Sequence, residues 1–273
     1  MAEKLEKEFL DFQSGMAEIQ SRFKTRGRGL RAEPGSGLET AQERLKNGLP
    51  CFTAESLEPD PEFLEGVFRE IASLVRKHAV AEEGELERFD DLRRAGGIDL
   101  AQLVRKMVAG DAEYFNRISA EKGLPPELLV FFAENLARVF LSGWAEGLPA
   151  EAFRGWLRGY CPVCGNEPRI SKIEPKQGKR ILSCSLCGTL WVFRRVECPY
   201  CGNVDSRQLR FFQMEEGSPY RVDVCEKCRR YIKSVDERKT GKETVLSTID
   251  VITGYLDEAA RKEGYLSGPR ITG

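Results

Sequence analysis

Histidine is almost missing from this chain: His78 stands alone in 273 residues. A Ser-His-Asp or Cys-His constellation would therefore have a single possible base. That base falls on the apolar side of a predicted helix, where a satisfied boundary histidine is the expected role. No apolar run approaches the roughly 18 residues that a membrane-spanning helix needs. A P-loop and a GxGxxG turn are absent too. The nearest string, GRGLRAEPGSG, has the wrong spacing and context. No catalytic apparatus stands out, which predicts a protein that is not an enzyme. The opening MAEKLEKEFL carries neither an apolar export core nor twin arginines, so a cytoplasmic protein with reduced thiols is expected.

What is abundant is charge, and it is unevenly spread. The chain is 41% hydrophobic and 31% charged, with a net charge of -1, a balance that predicts a folded protein. Residues 1–157 hold 21 basic and 28 acidic side chains, whereas residues 158–240 hold 17 basic and 10 acidic. A basic second half keeps nucleic-acid binding in view. The plainer account is that such charges are solvated, or that the two halves attract one another.

Residues 1–157 read as a helical domain. Leu5, Phe9, Phe12, Met16, Ile19 and Phe23 recur at alternating steps of four and three, one stripe of a helix. The Gly-, Pro- and Arg-rich stretch KTRGRGLRAEPGSG reads as a loop. Asp60-Pro61 starts a helix through Leu64, Val67, Phe68, Ile71 and Val75, because Asp caps and Pro fits the first turn. Ile98 to Val108 gives another amphipathic stretch. Asp111 caps a short helix bearing Tyr114, Phe115 and Ile118. Pro125-Pro126 opens the most apolar helix, and Pro149 starts a short one through Phe153 and Trp156. Gly110, Gly123 and Gly147 fall where C-terminal caps belong.

After Tyr160 the pattern changes to short alternating runs: PRISKIE, KRILSC, TLWVFRRVE, LRFFQM and YRVDVC. These predict small strands. Between them lie four CxxC pairs: Cys161/Cys164, Cys184/Cys187, Cys198/Cys201 and Cys225/Cys228. A pair of thiolates two residues apart is half of a tetrahedral metal site, and four halves make two sites with no position open for substrate. CPVCGN at 161–166 recurs as CPYCGN at 198–203, and CSLCGTLWV is echoed by CEKCRRYIK, so the cysteine half is an internal repeat. Pairing the knuckles in order gives the shortest loops and follows that repeat. Gly165 and Gly202 supply the positive φ that lets amides point at the sulfurs. Four cysteines suit zinc and a single iron equally. The metals are expected to hold the fold, since segments this small bury little core.

The ninth cysteine, Cys51, is expected in a partly buried apolar position. Trp191, Phe193, Phe211 and Phe212, interleaved with arginines, either stack on single-stranded nucleic acid or form the ribbon core, and the core role is the commoner one. From Thr244 to Glu263 helical periodicity returns as a closing helix.

The succession CPVCGNEPR, SCSLCGTLWVFRRVECPYCGN, DVCEKCRRYIK and RKEGYL resembles the formate dehydrogenase accessory proteins of the FdhE type over residues 158–266. The resemblance implies an α+β protein: a helical domain over 1–157, rubredoxin-like or zinc-ribbon lobes over 158–197 and 198–240, and a C-terminal helix over 241–273. It implies two ions, iron or zinc. One is held by Cys161, Cys164, Cys184 and Cys187, the other by Cys198, Cys201, Cys225 and Cys228. It further implies a cytoplasmic factor that binds the catalytic subunit of a respiratory formate dehydrogenase and assists its maturation before export. Strand 189–195, with Trp191, Arg194 and Arg195, is the expected docking face. The alternatives are a basic zinc-ribbon nucleic-acid binder and a rubredoxin-like electron carrier.

Overall fold

In the computed structural model, residues 2–24, 38–145, 148 and 153–267 are described. They form two compact units: residues 1–37 with 53–148, and residues 38–52 with 149–273. The loop expected after the first helix, the glycine cap at Gly147 and the helix start at Pro149 lie outside the described residues.

The first unit is all helical. Helix α1 (Ala2–Lys24) buries Phe12, Met16, Ile19 and Phe23, four of the six stripe residues. Phe9 is exposed, and the Leu5 side chain lies outside the described set. Helix α3 (Pro61–Lys77) starts where expected, with the Asp60 carboxylate accepting from the Glu62 amide at 3.1 Å. At its end His78 is half-buried, edge-on to Phe12 at 5.8 Å. Helices α5 (Leu100–Ala109) and α6 (Ala112–Lys122) end on left-handed Gly110 and Gly123.

Helix α4 (Glu83–Arg94) has no counterpart in the sequence reading. Its sequence is mostly charged, and only Leu86, Phe89 and Asp90 are buried. Phe89 nevertheless joins Phe68 and Phe132 in a triad with ring centroids 4.8–5.4 Å apart, the centre of this unit. Phe132 comes from α7 (Pro126–Ala145). That helix is long and apolar enough to cross a membrane, but ten of its residues are buried against its neighbours, and Arg138 pairs with Glu134 at 2.6 Å. Such all-round burial is the signature of a core helix.

The second unit is built on one six-stranded sheet: β1 (Pro168–Ile173), β2 (Arg180–Cys184), β3 (Leu190–Phe193), β4 (Leu209–Phe212), β5 (Tyr220–Cys225) and β6 (Arg230–Asp236). The order is β3-β2-β1-β6-β5-β4. All neighbours are antiparallel except β1 and β6, which run parallel with Ser171 opposite Ser234. Strand β6 is an addition to the five runs read from sequence. Its RYIKSVD is buried at six of seven positions, three of them polar, so it lacks the alternation that flags a half-buried strand.

The closing helix is two helices, α8 (Leu246–Ile252) and α9 (Gly254–Lys262). The break is at Thr253, whose buried hydroxyl donates back to the Ile249 carbonyl at 2.6 Å, and Gly254 follows it. Back-bonding of this kind bends helices. Both helices pack on the sheet. Lys233 of β6, almost fully buried, reaches Asp250 and Asp257 at 2.7 Å each. Tyr231 donates to the same Asp257 at 2.8 Å. Helix α2 (Leu38–Lys46) belongs to this unit, and the residues after it run on to the first cysteine knuckle.

Candidate metal centres

The four knuckles come together in sequential pairs. Cys161, Cys164, Cys184 and Cys187 form one quartet and Cys198, Cys201, Cys225 and Cys228 the other, with sulfurs in each within 4.8 Å of one another. In the first, Sγ of Cys161 is 3.5 Å from Cys187 and Sγ of Cys164 is 3.5 Å from Cys184. In the second, Cys198–Cys228 and Cys201–Cys225 are each 3.7 Å apart. A tetrahedron with metal–sulfur bonds of about 2.3 Å has edges near 3.8 Å. A disulfide would bring sulfurs to about 2.05 Å. Each quartet can therefore hold one four-coordinate ion and is not a pair of disulfides.

The local fold repeats with the sequence. Cys161 N–H donates to Asn166 O at 2.8 Å, as Cys198 N–H does to Asn203 O at 2.9 Å. Gly165, Gly188 and Gly202 take φ of +75°, +71° and +67° after their knuckles. At the fourth knuckle Arg229 stands in that place at +55°. Within the knuckles, ahead of these left-handed residues, backbone amides point at sulfur: Val163 N–H reaches Cys161 Sγ and Leu186 N–H reaches Cys184 Sγ, both at 3.4 Å.

Three further residues touch the sulfurs. Thr189 Oγ1 lies 3.0 Å from Cys187 Sγ, and the Asn166 and Asn203 amides reach Cys164 and Cys225 at 3.8 and 3.7 Å. Such contacts orient ligands and spread their charge. The asparagines were visible in the repeated CGN, but only a three-dimensional arrangement gives them this role.

Electrostatics leave the thiols unable to ionise together without a cation. Burial pushes Cys161 and Cys164 well above the usual thiol range. Cys187, against its burial, is held well below it by hydrogen bonds from Cys161, Cys164, Cys184 and Thr189. In the second quartet burial raises Cys198, and raises Cys228 to about 11. Cys225 is lowered against its burial, by backbone amides and Asn203. A divalent ion would remove this conflict by replacing the retained protons.

The two quartets differ in cover. All four sulfur residues of the first are buried, whereas Cys201 is exposed and Cys228 half-buried. The cover over the first comes from residues 48–52. Cys51 and Phe52 amides donate to Pro162 and Val163 carbonyls at 2.8 and 2.9 Å. Tyr160 holds the strap by donating to Gly48 O at 2.7 Å, and a side chain at Gly165 would meet Pro50 at 3.2 Å. Cys51 is buried as expected, its thiol pushed up to about 12 by burial.

Of the expected docking residues, Arg194 and Arg195 are exposed. Trp191 is not presented to a partner: it is 3% exposed, and its indole donates to Arg158 O at 2.9 Å. Phe193 is buried as well, so strand β3 instead presents Leu190 and Val192, with Val196 exposed just beyond it. In the ladder Trp191 is equivalent to Ile232 rather than to Tyr231, because Ser183 faces Leu190 and Val224 faces Tyr231.

Comparison with known proteins bears on this arrangement. The FdhE central-domain family model matches residues 160–195, the first quartet and strands β1 to β3. The FdhE homolog of Aquifex aeolicus is 29% identical over 85% of this chain and 77% of its own length. The chain is thus similar to FdhE proteins over most of its length. FdhE of Salmonella dublin is 30% identical over 65% of this chain, a match that spans 55% of the Salmonella protein. The crystal structure of FdhE from Pseudomonas aeruginosa superposes with a TM-score of 0.62, covering 92% of this chain and 84% of that one at 23% identity. The chain thus has the fold of that FdhE protein, here a helical region, a mixed sheet with two tetracysteine clusters, and closing helices.

Proposed function

We propose that this protein is a cytoplasmic, non-enzymatic accessory factor of the FdhE type. It binds the catalytic subunit of a respiratory formate dehydrogenase and assists its maturation before export. The observation that carries this reading is the pair of tetracysteine quartets within an FdhE fold, each closed by four sulfurs. A tetrahedral ion with four protein ligands has no position for substrate, so the ions, iron or zinc, serve to shape a binding surface. Cys161, Cys164, Cys184 and Cys187 would hold one, and Cys198, Cys201, Cys225 and Cys228 the other.

The subunit docks on the outer edge of β3. This strand ends the sheet, and its outward side chains, Leu190 and Val192, are 46% and 41% exposed beside exposed Arg194. An open edge with apolar and basic side chains suits addition of an extended segment. The inner residues Trp191 and Phe193 hold the strand in place.

The test is an anaerobic pull-down of the tagged protein from its own host, with and without nuclease. A formate dehydrogenase catalytic subunit that survives nuclease is expected. Val192→Glu with Arg194→Glu should abolish its capture while metal content stays unchanged. Ribosomal or polymerase components that vanish with nuclease, without a dehydrogenase, would replace this reading with nucleic-acid binding.

A further inference from the structure

The sheet carries a second feature that the metal quartets do not explain. A cavity of about 140 Å³ lies over the β6-β5-β4 half, beneath the bridge of residues 195–200. Five guanidinium groups line it against two carboxylates. Not all of them are neutralised within it. Arg230 is taken by Glu167 at 2.8 Å and lies over the Tyr200 ring at 4.0 Å. Glu197 gives its carboxylate to Arg194, outside the cavity, at 2.7 Å.

Arg180 and Arg221 are left to share Asp223, at 3.7 and 2.8 Å. Arg195 and Arg210 stand on the rim without an ion pair among the described residues. A loaded second quartet would add about two negative charges to the wall through Cys198 and Cys225. Cations still outnumber anions.

The decisive detail is Arg180. The residue is 4% exposed, and its Nη2 makes no hydrogen bond. Its Nη1 is satisfied by Glu197 O at 3.1 Å. Arg221 Nε is likewise buried without a hydrogen bond, since its approach to Asp223 is poorly aligned. Buried guanidinium nitrogens are seldom left so, and an ion is a standard reason. Arg221 also lies over the half-open ring of Phe211 at 4.8 Å, which gives the cavity an aromatic lip.

We propose that this cavity is a binding site for a phosphate group, free or at the end of a small organic molecule. Arg180 and Arg221 bind the phosphate oxygens from below, and Arg195 and Arg210 close over it from the rim. Forked guanidinium donors match phosphate geometry, and the weak hydration of the group favours a site of this kind. The site is independent of the accessory-protein reading.

The test is calorimetric titration of the full-length, metal-loaded protein with inorganic phosphate at low ionic strength, with AMP and acetate in parallel. Phosphate should bind and acetate should not. Binding of AMP at least about tenfold tighter than phosphate would assign the phosphate to a nucleotide whose base lies on Phe211. Equal binding would assign it to the free ion.

Arg180→Gln should weaken phosphate binding by about tenfold or more, with both metals retained. Arg195→Gln, at an exposed position, should weaken it by a smaller factor. Absence of binding, equal affinity in the Arg195→Gln protein, or loss of the second metal from Arg180→Gln without any phosphate binding would overturn the proposal. The last result would mean that the arginines only neutralise thiolates.

Discussion

Cys201 Sγ lies 3.7 Å from Cys225 Sγ, and Cys164 Sγ lies 3.5 Å from Cys184 Sγ. The two contacts are equivalent in the repeat, yet Cys201 is exposed and Cys164 buried. Access to the sulfurs sets how fast a chelator strips a site. The metal-loaded protein should therefore lose its ions in two phases, the exposed quartet first. Time-resolved chelation, with the modified cysteines mapped by mass spectrometry, would read the order. Simultaneous loss would show that cover by residues 48–52 does not protect.

Removal of one ligand should uncouple the sites. Cys164→Ala is expected to leave about one ion per chain and to lower Tm strongly, because a structural ion supplies about 10–16 kcal/mol locally. Cys201→Ala should also leave about one ion, with the smaller thermal shift. Metal analysis beside calorimetric melting gives both readouts.

Loading should be pH-dependent. Cys161, Cys164 and Cys228 have raised pKa values, Cys228 about 11, so they keep their protons at neutral pH until metal enters. Metal binding then releases protons, and affinity rises with pH. Even a single displaced proton makes affinity at pH 6 about a hundredfold weaker than at pH 8. Competition against a chromophoric chelator of known pH dependence measures this.

Cys51 should be inert. Burial pushes its pKa to about 12, and the thiolate is the reactive form. Iodoacetamide at pH 8 should leave it unlabelled in the loaded protein and label it after denaturation with chelator. The sign for stability follows. The unfolded thiol ionises first, so Cys51 contributes nothing pH-dependent at neutrality and loses stability as pH climbs from about 9 toward 12.

Arg229 holds a left-handed conformation that glycine takes at the other three knuckles. Its side chain offsets the strain by lying over Tyr265 at 4.0 Å and pairing with Glu226 at 2.7 Å. Arg229→Ala keeps the strain and loses the contacts, whereas Arg229→Gly loses both. The glycine variant should be more stable by about 1 kcal/mol, as read by thermal or denaturant unfolding.

The parts most legible in the sequence were those fixed by short-range rules. Asp60 and Asp111 cap helices through contacts two or three residues away, and the CxxC repeat carries its own turn geometry. What long-range packing decides was not legible. Helix α4 is held by Phe89 against residues 21 and 43 positions away, and β6 is buried through polar partners that periodicity cannot anticipate. The cover from Gly48–Phe52 depends on a contact more than a hundred residues distant. Trp191 looked available to a partner because strand alternation alone does not tell which face meets the Arg158 carbonyl.

The lobes of the repeat are joined head to tail. In the repeat β1, β2 and β3 correspond to β4, β5 and β6, so the parallel seam joins β1 of one lobe to the counterpart of β3 in the other. A seam of unlike edges, unlike a two-fold one, does not use itself up. The outer edge of β3 is left in the state that β6 would have without β1, already shaped to receive one more strand in parallel. The chain has thus built into itself, at Ser171 and Ser234, a worked example of the contact its free edge can make with another polypeptide.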